Sequence, residues 1–120
     1  MRQVLLAGVV FATLACKPSE SKEEAARASV VRFFEALPTG DCAVLGPLLA
    51  QGGDAETCTR MVQELNEHGF SLVEVLDAQV DGRDPNAVVV RARVAQDGKV
   101  REQPFLVRVE RHPKGWKLRL

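Results

Sequence analysis

Apolar residues recur every three or four positions between Ser21 and Gly69, and this spacing predicts helices that each bury one face. Ser21 and Glu24 stand three residues apart in the S-x-x-E pattern of a capping box, which predicts the start of a first helix. Pro38 and Gly40 are placed to end this helix.

Two shorter helices are predicted after the first. Asp41 is placed to cap a second helix, which Pro47 keeps brief. Asp54 is placed to cap a third helix, and Gly69 to end it. The apolar positions of the three helices are Ala26, Val30, Phe33, Phe34 and Leu37 in the first, Val44, Leu45, Leu48 and Leu49 in the second, and Cys58, Met61, Val62 and Leu65 in the third.

From Ser71 onward apolar and polar residues alternate, a period typical of strands with one buried face. Asp97-Gly98 is a strong signal for a two-residue hairpin turn, and Pro104 indicates a bulge or a late start in the strand that follows. The positions predicted to face the core are Leu76, Ala78, Val80, Val88, Val90, Ala92, Val94, Phe105, Val107, Val109, Trp116, Leu118 and Leu120. Helices followed by four strands with short turns predict an α+β fold, in which N-terminal helices pack on the apolar face of a four-stranded antiparallel meander.

The N-terminal residues have the pattern of a signal peptide. Twelve uncharged residues, Val4–Ala15, follow a short positive start. They are too few to cross a bilayer, since a spanning helix needs about 20. Residues 13–16, T-L-A-C, resemble the lipobox of bacterial lipoproteins, with Thr13 where the family usually has leucine. The resemblance implies that Cys16 is the lipidated first residue of the mature chain; the alternatives are an ordinary secretory signal cut elsewhere and a retained anchor.

This interpretation divides the chain into a signal peptide (1–15), a lipidated cysteine with a short tether (16–21) and an α+β domain (22–120). Acyl chains would attach the protein to a membrane, each buried CH₂ contributing about 0.8 kcal/mol. Lys17 stands where lipoproteins retained in the inner membrane have aspartate. We therefore expect the protein in the bacterial cell envelope, on the periplasmic side and in the outer membrane.

Two cysteines, Cys42 and Cys58, remain in the predicted mature domain. An even number of cysteines in an oxidising compartment predicts a disulfide, which would join the starts of the second and third helices. The alternatives are two buried thiols or two ligands of a metal site. Only His68 and His112 are available to complete a metal site, and neither has the close spacing of a ligand pair. We therefore expect no metal and no cofactor.

The chain has no net charge, but its two parts differ in sign. Between Lys17 and Asp81, five Lys and Arg stand against twelve Asp and Glu; between Gly82 and Leu120 the numbers are ten and four. The strand alternation places five cations on the outward face of the predicted sheet, where we expect contact with an anionic surface: Arg91, Arg93, Arg108, Lys117 and Arg119.

Two kinds of partner fit such a face: an anionic lipid surface and an acidic protein, including the acidic helical part of a second copy. The alternative is a plain solvated face whose cations pair with Glu74, Asp77, Glu102 and Glu110. Nucleic acid is not expected as a partner, because the protein is predicted to be exported and no aromatic residues lie between these cations for base stacking.

Three stretches of sequence together resemble a known superfamily: ARASVVRFFEAL, TGDCAVLGPLLA and the terminal GWKLRL. Over residues 22–120 the chain is similar to small bacterial lipoproteins with the cystatin-like cone of the nuclear transport factor 2-like superfamily. The resemblance implies a curved sheet. Full-sized members have additional strand or helix between the second and third helices, so this cone is a reduced one.

The superfamily includes enzymes such as ketosteroid isomerase-like proteins, so a small-molecule binder or an isomerase-like enzyme is the alternative function. Such chemistry needs an acid or base and an oxyanion donor inside a concave pocket. None of the predicted inward positions is ionisable, and the chain has no tyrosine. Asp41 is interpreted as a cap, His68 as a helix-end residue and His112 as exposed. We therefore predict a non-catalytic, membrane-anchored binding or interaction module, with a structural envelope component as a third class.

Overall fold

The computed structural model of the chain describes residues 20–51 and 54–120. The predicted signal peptide, and Cys16 with it, lies outside these residues. Within the described ranges, no helix is both long and apolar enough to cross a bilayer. The predicted helices and strands all fall inside the described ranges.

Helix α1 spans Lys22–Ala36 and begins with the predicted capping box. The Oγ of Ser21 accepts a hydrogen bond from the Glu24 N–H at 3.1 Å. A 3₁₀ turn, Leu37–Thr39, continues the helix and ends at Gly40, whose φ of 65° is in the left-handed region that favours glycine. Both ends of the first predicted helix are confirmed.

The two further helices are short and are capped as predicted. Asp41 Oδ1 accepts a hydrogen bond from the backbone of Ala43 at 2.9 Å, and Asp54 Oδ1 accepts one from Glu56 at 3.2 Å. These side chains satisfy amide groups that the helix itself leaves without partners. The bounds are α2, Cys42–Leu45, followed by a 3₁₀ turn at Gly46–Leu48, and α3, Ala55–Glu67.

The strands form one antiparallel sheet in the order β1-β2-β4-β5. A two-residue strand, β3, pairs with the end of β2 beyond the start of β4 and was not predicted. The bounds are β1, Ser71–Val80; β2, Ala87–Gln96; β3, Lys99–Val100; β4, Phe105–His112; and β5, Gly115–Arg119.

The hairpin between β2 and β3 has the turn that its sequence predicts. Asp97 and Gly98 have φ values of 52° and 82°, as a type I′ turn requires at both central residues. The Asp97 N–H also donates to the His68 carbonyl at 2.9 Å, so the turn is held against the end of α3. After Pro104 the chain rejoins the sheet at Phe105, which confirms the late strand start.

Two bulges interrupt β1, and they make one predicted core position wrong. The register against β2 shifts between Leu72 and Glu74 and again between Val75 and Asp77. Leu76 therefore falls inside the second bulge, and Val75 takes the place in the core that was predicted for it. Bulges bend a strand and increase its twist, so the pair of them accounts for the curvature of this side of the sheet.

The core lies between α1 and the inner face of the sheet, since α1 packs against β1, β2, β4 and β5. Phe33 is fully buried there, and its ring meets Phe34 edge to face at 5.5 Å between centroids. The fully buried sheet residues of this core are Val88, Val90, Ala92, Val94, Val107, Val109 and Leu118. This arrangement confirms the predicted α+β fold with helices on an antiparallel meander.

The chain after α2 runs along the outer side of β5. Leu49 pairs with Leu118 in a parallel bridge, and the Ala50 N–H donates to the Leu118 carbonyl at 2.7 Å. Gln51 Nε2 donates to the Leu120 carbonyl at 3.3 Å. These bonds place α2 and its 3₁₀ turn beside the hairpin that joins β4 to β5.

Candidate functional site

The interior between α1 and the sheet contains no acid–base pair among the described residues. Of the residues that the structure describes, Ser29 is the one buried polar side chain, and its Oγ donates to the carbonyl of Ala25 in the same helix at 3.0 Å. Around it the buried side chains are apolar. Proton transfer at this place would require an ionisable group facing the interior.

The three candidate acids and bases considered from the sequence lie elsewhere. Asp41 caps α2, as predicted. His68 ends α3, as predicted, and its side chain is exposed. His112 was predicted to be exposed, but its side chain is 32% exposed and its Nε2 lies 3.2 Å from Glu110 Oε1.

The outward face of the sheet carries the five predicted cations, and each has a partner. Arg91 Nε lies 2.9 Å from Asp77 Oδ2, and Arg93 Nε lies 3.6 Å from Glu74 Oε2. Both are cross-strand neighbours in the β1–β2 register. Lys117 Nζ donates to the Pro47 carbonyl at 2.8 Å.

Arg108 and Arg119 take part in a larger network. Arg108 contacts Asp81 at 2.6 Å, Asp84 at 3.0 Å and Glu110 at 3.1 Å. Arg119 binds both carboxylate oxygens of Glu110, at 2.8 and 2.9 Å. The Arg119 guanidinium, with His112 and Arg108, holds the pKa of Glu110 at about 2, below its ordinary 4.5.

Glu110→Gln should lower the free energy of unfolding by about 1 kcal/mol at pH 7, because it removes the shared charge of several partly exposed ion pairs. A carboxyl group whose pKa is depressed on folding stabilises the fold above its unfolded pKa, and this contribution is lost as the pH falls through the folded pKa. The difference between wild type and variant should therefore shrink between about pH 4.5 and about pH 2.

Urea unfolding at a series of pH values measures this difference. Glu64→Gln is the matched control, since Glu64 is exposed on α3 and forms no ion pair within the described ranges. A difference for Glu110→Gln that stays constant down to pH 2 would contradict the assigned network.

The carboxylates on this face balance its five cations. Three of the pairing acids expected for a solvated face are present, namely Glu74, Asp77 and Glu110, whereas Asp81 and Asp84 take the place of Glu102. Contact of the five cations with an anionic surface stays a prediction. Such contact would have to compete with bonds that the cations already make.

An exposed leucine lies within the same face. Leu106 is 60% exposed and borders a shallow concavity of about 490 Å³ together with Val89 and Arg91. This patch is apolar at its centre and charged at its margin, which is the anatomy of small protein contacts.

The predicted disulfide between Cys42 and Cys58 is confirmed. Their Cα atoms are 6.1 Å apart, and Cys58 is 1% exposed. The bond joins the first turn of α2 to the first turn of α3, as the sequence predicted. Across the described chain, no cluster of three or more His, Cys, Asp or Glu side chains could hold a metal ion.

A cleft of about 510 Å³ opens beside this disulfide, where α2 and its turn meet the β4–β5 hairpin. One side of it is lined by His112, Lys114 and Lys117, and we therefore call it the basic cleft. Cys42, Cys58, Ala43, Pro47, Leu49 and Ala50 are among the residues that line the remainder. Of the described residues that line the cleft, none is Asp or Glu.

The basic cleft was not predicted from the sequence. Lys117 was predicted to lie on the outward face, and His112 to be exposed. The sequence signal for the cleft was the run of basic residues from Arg111 to Lys117. Which segment lies opposite that turn depends on the path of the chain after α2, some 70 residues earlier.

No family model matches this chain, and no curated protein matches it. The solved structures that are similar to it include the following two. A de novo designed protein with a curved β-sheet is 17% identical, with a TM-score of 0.52 over 79% of this chain and 97% of that one. A proposed polyketide cyclase from Sinorhizobium meliloti is 18% identical, with a TM-score of 0.48 over 77% of this chain and 92% of that one.

At these identities the likeness concerns the fold alone. The match to the designed protein agrees with helices packed on a curved antiparallel sheet, which is the class of fold predicted from the sequence.

Proposed function

We propose that this chain is a lipid-anchored protein of the bacterial cell envelope, whose domain binds a partner through its surface and catalyses no reaction. The filled interior is the observation that carries the proposal. Phe33, Val90 and Val107 are each 0% exposed where α1 meets the sheet. Side chains therefore occupy the space in which a cone-shaped domain would hold a small molecule.

The alternative is a small-molecule binder or an isomerase-like enzyme of the nuclear transport factor 2-like superfamily, and it rests on the sequence resemblance. An enzyme of that kind needs an acid or base that faces the interior. The fully buried sheet residues are apolar, and the ionised groups near them are paired on the outward face. These observations favour a surface function.

Lipid anchoring predicts that Cys16→Ser moves nearly all of the protein from the membrane fraction to the soluble fraction, or leaves its precursor uncut. The physical reason is that the acyl chains supply the membrane affinity. Fractionation of cells and mass spectrometry of the N-terminal peptide measure both effects. Ser19→Ala, in the same tether, is the control and should stay in the membrane. A mature form that begins elsewhere and carries no lipid would contradict anchoring.

Surface binding is tested separately by photo-crosslinking in intact cells. A photoreactive residue is placed in turn at Leu106, at Lys114 and, as a control, at the exposed Gln63 of α3. A binding module should give a discrete adduct from Leu106 or Lys114 and none from Gln63. Adducts of equal yield from all three positions, or from none, would argue for a domain without a specific partner.

A further inference from the structure

We propose that the basic cleft binds the phosphate group of an anionic lipid, and that it holds this end of the domain against the membrane. The inference rests on the proposed anchoring, and it assigns a partner and a site to the same protein. It moves the expected membrane contact from the outward sheet face to the cleft beside the disulfide. Two independent features of the molecule carry it.

The first feature is the state of the cations. On the outward face, the four arginines Arg91, Arg93, Arg108 and Arg119 are already bound to carboxylates. In the basic cleft, Lys114 forms no ion pair with a described residue. Because no carboxylate lines the cleft, an anion that enters it displaces no acidic partner of the lysines.

Lys117 can serve such an anion without leaving its present partner. Its Nζ gives one hydrogen bond to the Pro47 carbonyl, and an ammonium group has three donors. His112 stands beside it with a ring nitrogen near Glu110, whose charge is shared with two arginines. Two ammonium groups, those of Lys114 and Lys117, therefore border a single recess, with the His112 ring beside them.

The second feature is the place from which the tether leaves the domain. Cys16 and Ser21 are five residues apart, so they are separated by less than roughly 20 Å even when fully extended. Lys22 Nζ donates to the Pro85 carbonyl at 2.7 Å, which sets the start of α1 against the loop between β1 and β2. In the same loop, the Asn86 carbonyl accepts a hydrogen bond from the N–H of Arg111, which lies next to the β4–β5 hairpin.

The start of α1, this loop and the hairpin thus lie at one end of the molecule, and the tether leaves from there. Attraction between a basic group and an anionic lipid surface falls off within a Debye length, about 8–10 Å. A tether of this length allows Lys114 to approach the membrane to within that distance. The size of the cleft, about 510 Å³, is in the range of small-ligand sites.

The single tryptophan of the chain offers a direct measurement. Trp116 lies in β5 beside the hairpin, next to Lys117, and Arg111 stacks over its ring at 5.6 Å from the centroid. The chain from Cys16 to Leu120 contains every residue of the described core. Since Cys42 and Cys58 are paired, Cys16 is its one free thiol, and this thiol can be coupled to a maleimide lipid in vesicles.

Quenching of Trp116 by headgroup-labelled lipids then reports how close this end lies to the membrane. We expect stronger quenching in vesicles with phosphatidylglycerol than in vesicles of phosphatidylcholine alone. Lys114→Glu should lower the ratio of docked to undocked protein about five-fold or more, as the loss of about 1 kcal/mol for one basic residue implies. Lys99→Glu, at the opposite hairpin, should leave it unchanged. Inorganic phosphate at millimolar concentration should not reverse the docking by competing for the cleft, since the lipid beside the tethered domain is far more concentrated locally.

Three results would overturn the inference. Quenching that is equal in both kinds of vesicle shows that the cleft does not recognise anionic lipid. An equal effect of Lys114→Glu and Lys99→Glu shows a general response to charge. Loss of quenching on Arg91→Glu without loss on Lys114→Glu shows that the outward face, and not the cleft, contacts the membrane. Because coupling through Cys16 is chemical, each result is independent of whether the cell acylates that residue.

Discussion

Phe33→Ala lowers the free energy of unfolding by about 3–5 kcal/mol, the usual cost of removing a fully buried phenylalanine side chain. Phe33 is 0% exposed and fills the space between α1 and the sheet, in edge-to-face contact with Phe34. Native domains are stable by only about 5–15 kcal/mol, so the variant should lose a large part of its stability. Chemical denaturation of wild type and variant measures the difference.

Phe70→Ala is the matched control for this change. Phe70 is only partly buried at the margin of the core, where its ring lies 5.8 Å from Phe105 and near Arg101. Its loss should cost clearly less. The variant Phe33→Ala should also gain affinity for a small apolar molecule such as benzene, because empty apolar cavities bind such ligands. A cost of Phe33→Ala below about 1 kcal/mol would show that the interior is not filled as described.

Replacing both Cys42 and Cys58 with alanine is expected to cost about 3 kcal/mol, because the bond closes a loop of 16 residues and restricts the unfolded chain. In a domain of this size the midpoint of thermal unfolding should fall by about 10–20 °C. Helix α2 should lose its structure first, because it has four helical residues and little stability of its own. Calorimetry measures the midpoint.

A reducing agent provides the internal control for the double replacement. It should lower the unfolding midpoint of the wild-type domain and leave that of the variant unchanged. If the thiols of Cys42 and Cys58 both react with alkylating reagent before any reduction, the disulfide is absent and the expected loss will not appear.

Those parts of the fold that depend on neighbouring residues could be predicted from the sequence. Ser21, Asp41 and Asp54 cap their helices because each side chain reaches an amide only two or three residues ahead. The Asp97-Gly98 turn was equally predictable, since its two residues tolerate the positive φ that the turn requires. The disulfide could be predicted because Cys42 and Cys58 are the two cysteines of the predicted mature domain and can form only one pair.

Other parts depend on contacts between distant segments and could not be predicted. Leu76 was misplaced because strict alternation cannot reveal a bulge, and each bulge moves the later residues to the other face. Arg108 binds Asp81 and Asp84, which are 27 and 24 residues away along the chain. The basic cleft is formed by a hairpin and a helix some 70 residues apart, so its shape follows only from the assembled fold.

The backbone along the two outermost strands has a consequence for how copies of the protein coexist. Anchored proteins share a two-dimensional surface, where collisions are frequent and an unpaired strand invites a neighbour to extend the sheet into an aggregate. Here Leu49 and Ala50 already occupy part of the outer side of β5, and the two bulges distort β1. Neither of these two described strands offers a long, regular row of unpaired amides and carbonyls, so copies that the proposed lipid anchor would hold on one membrane would resist fusion of their sheets.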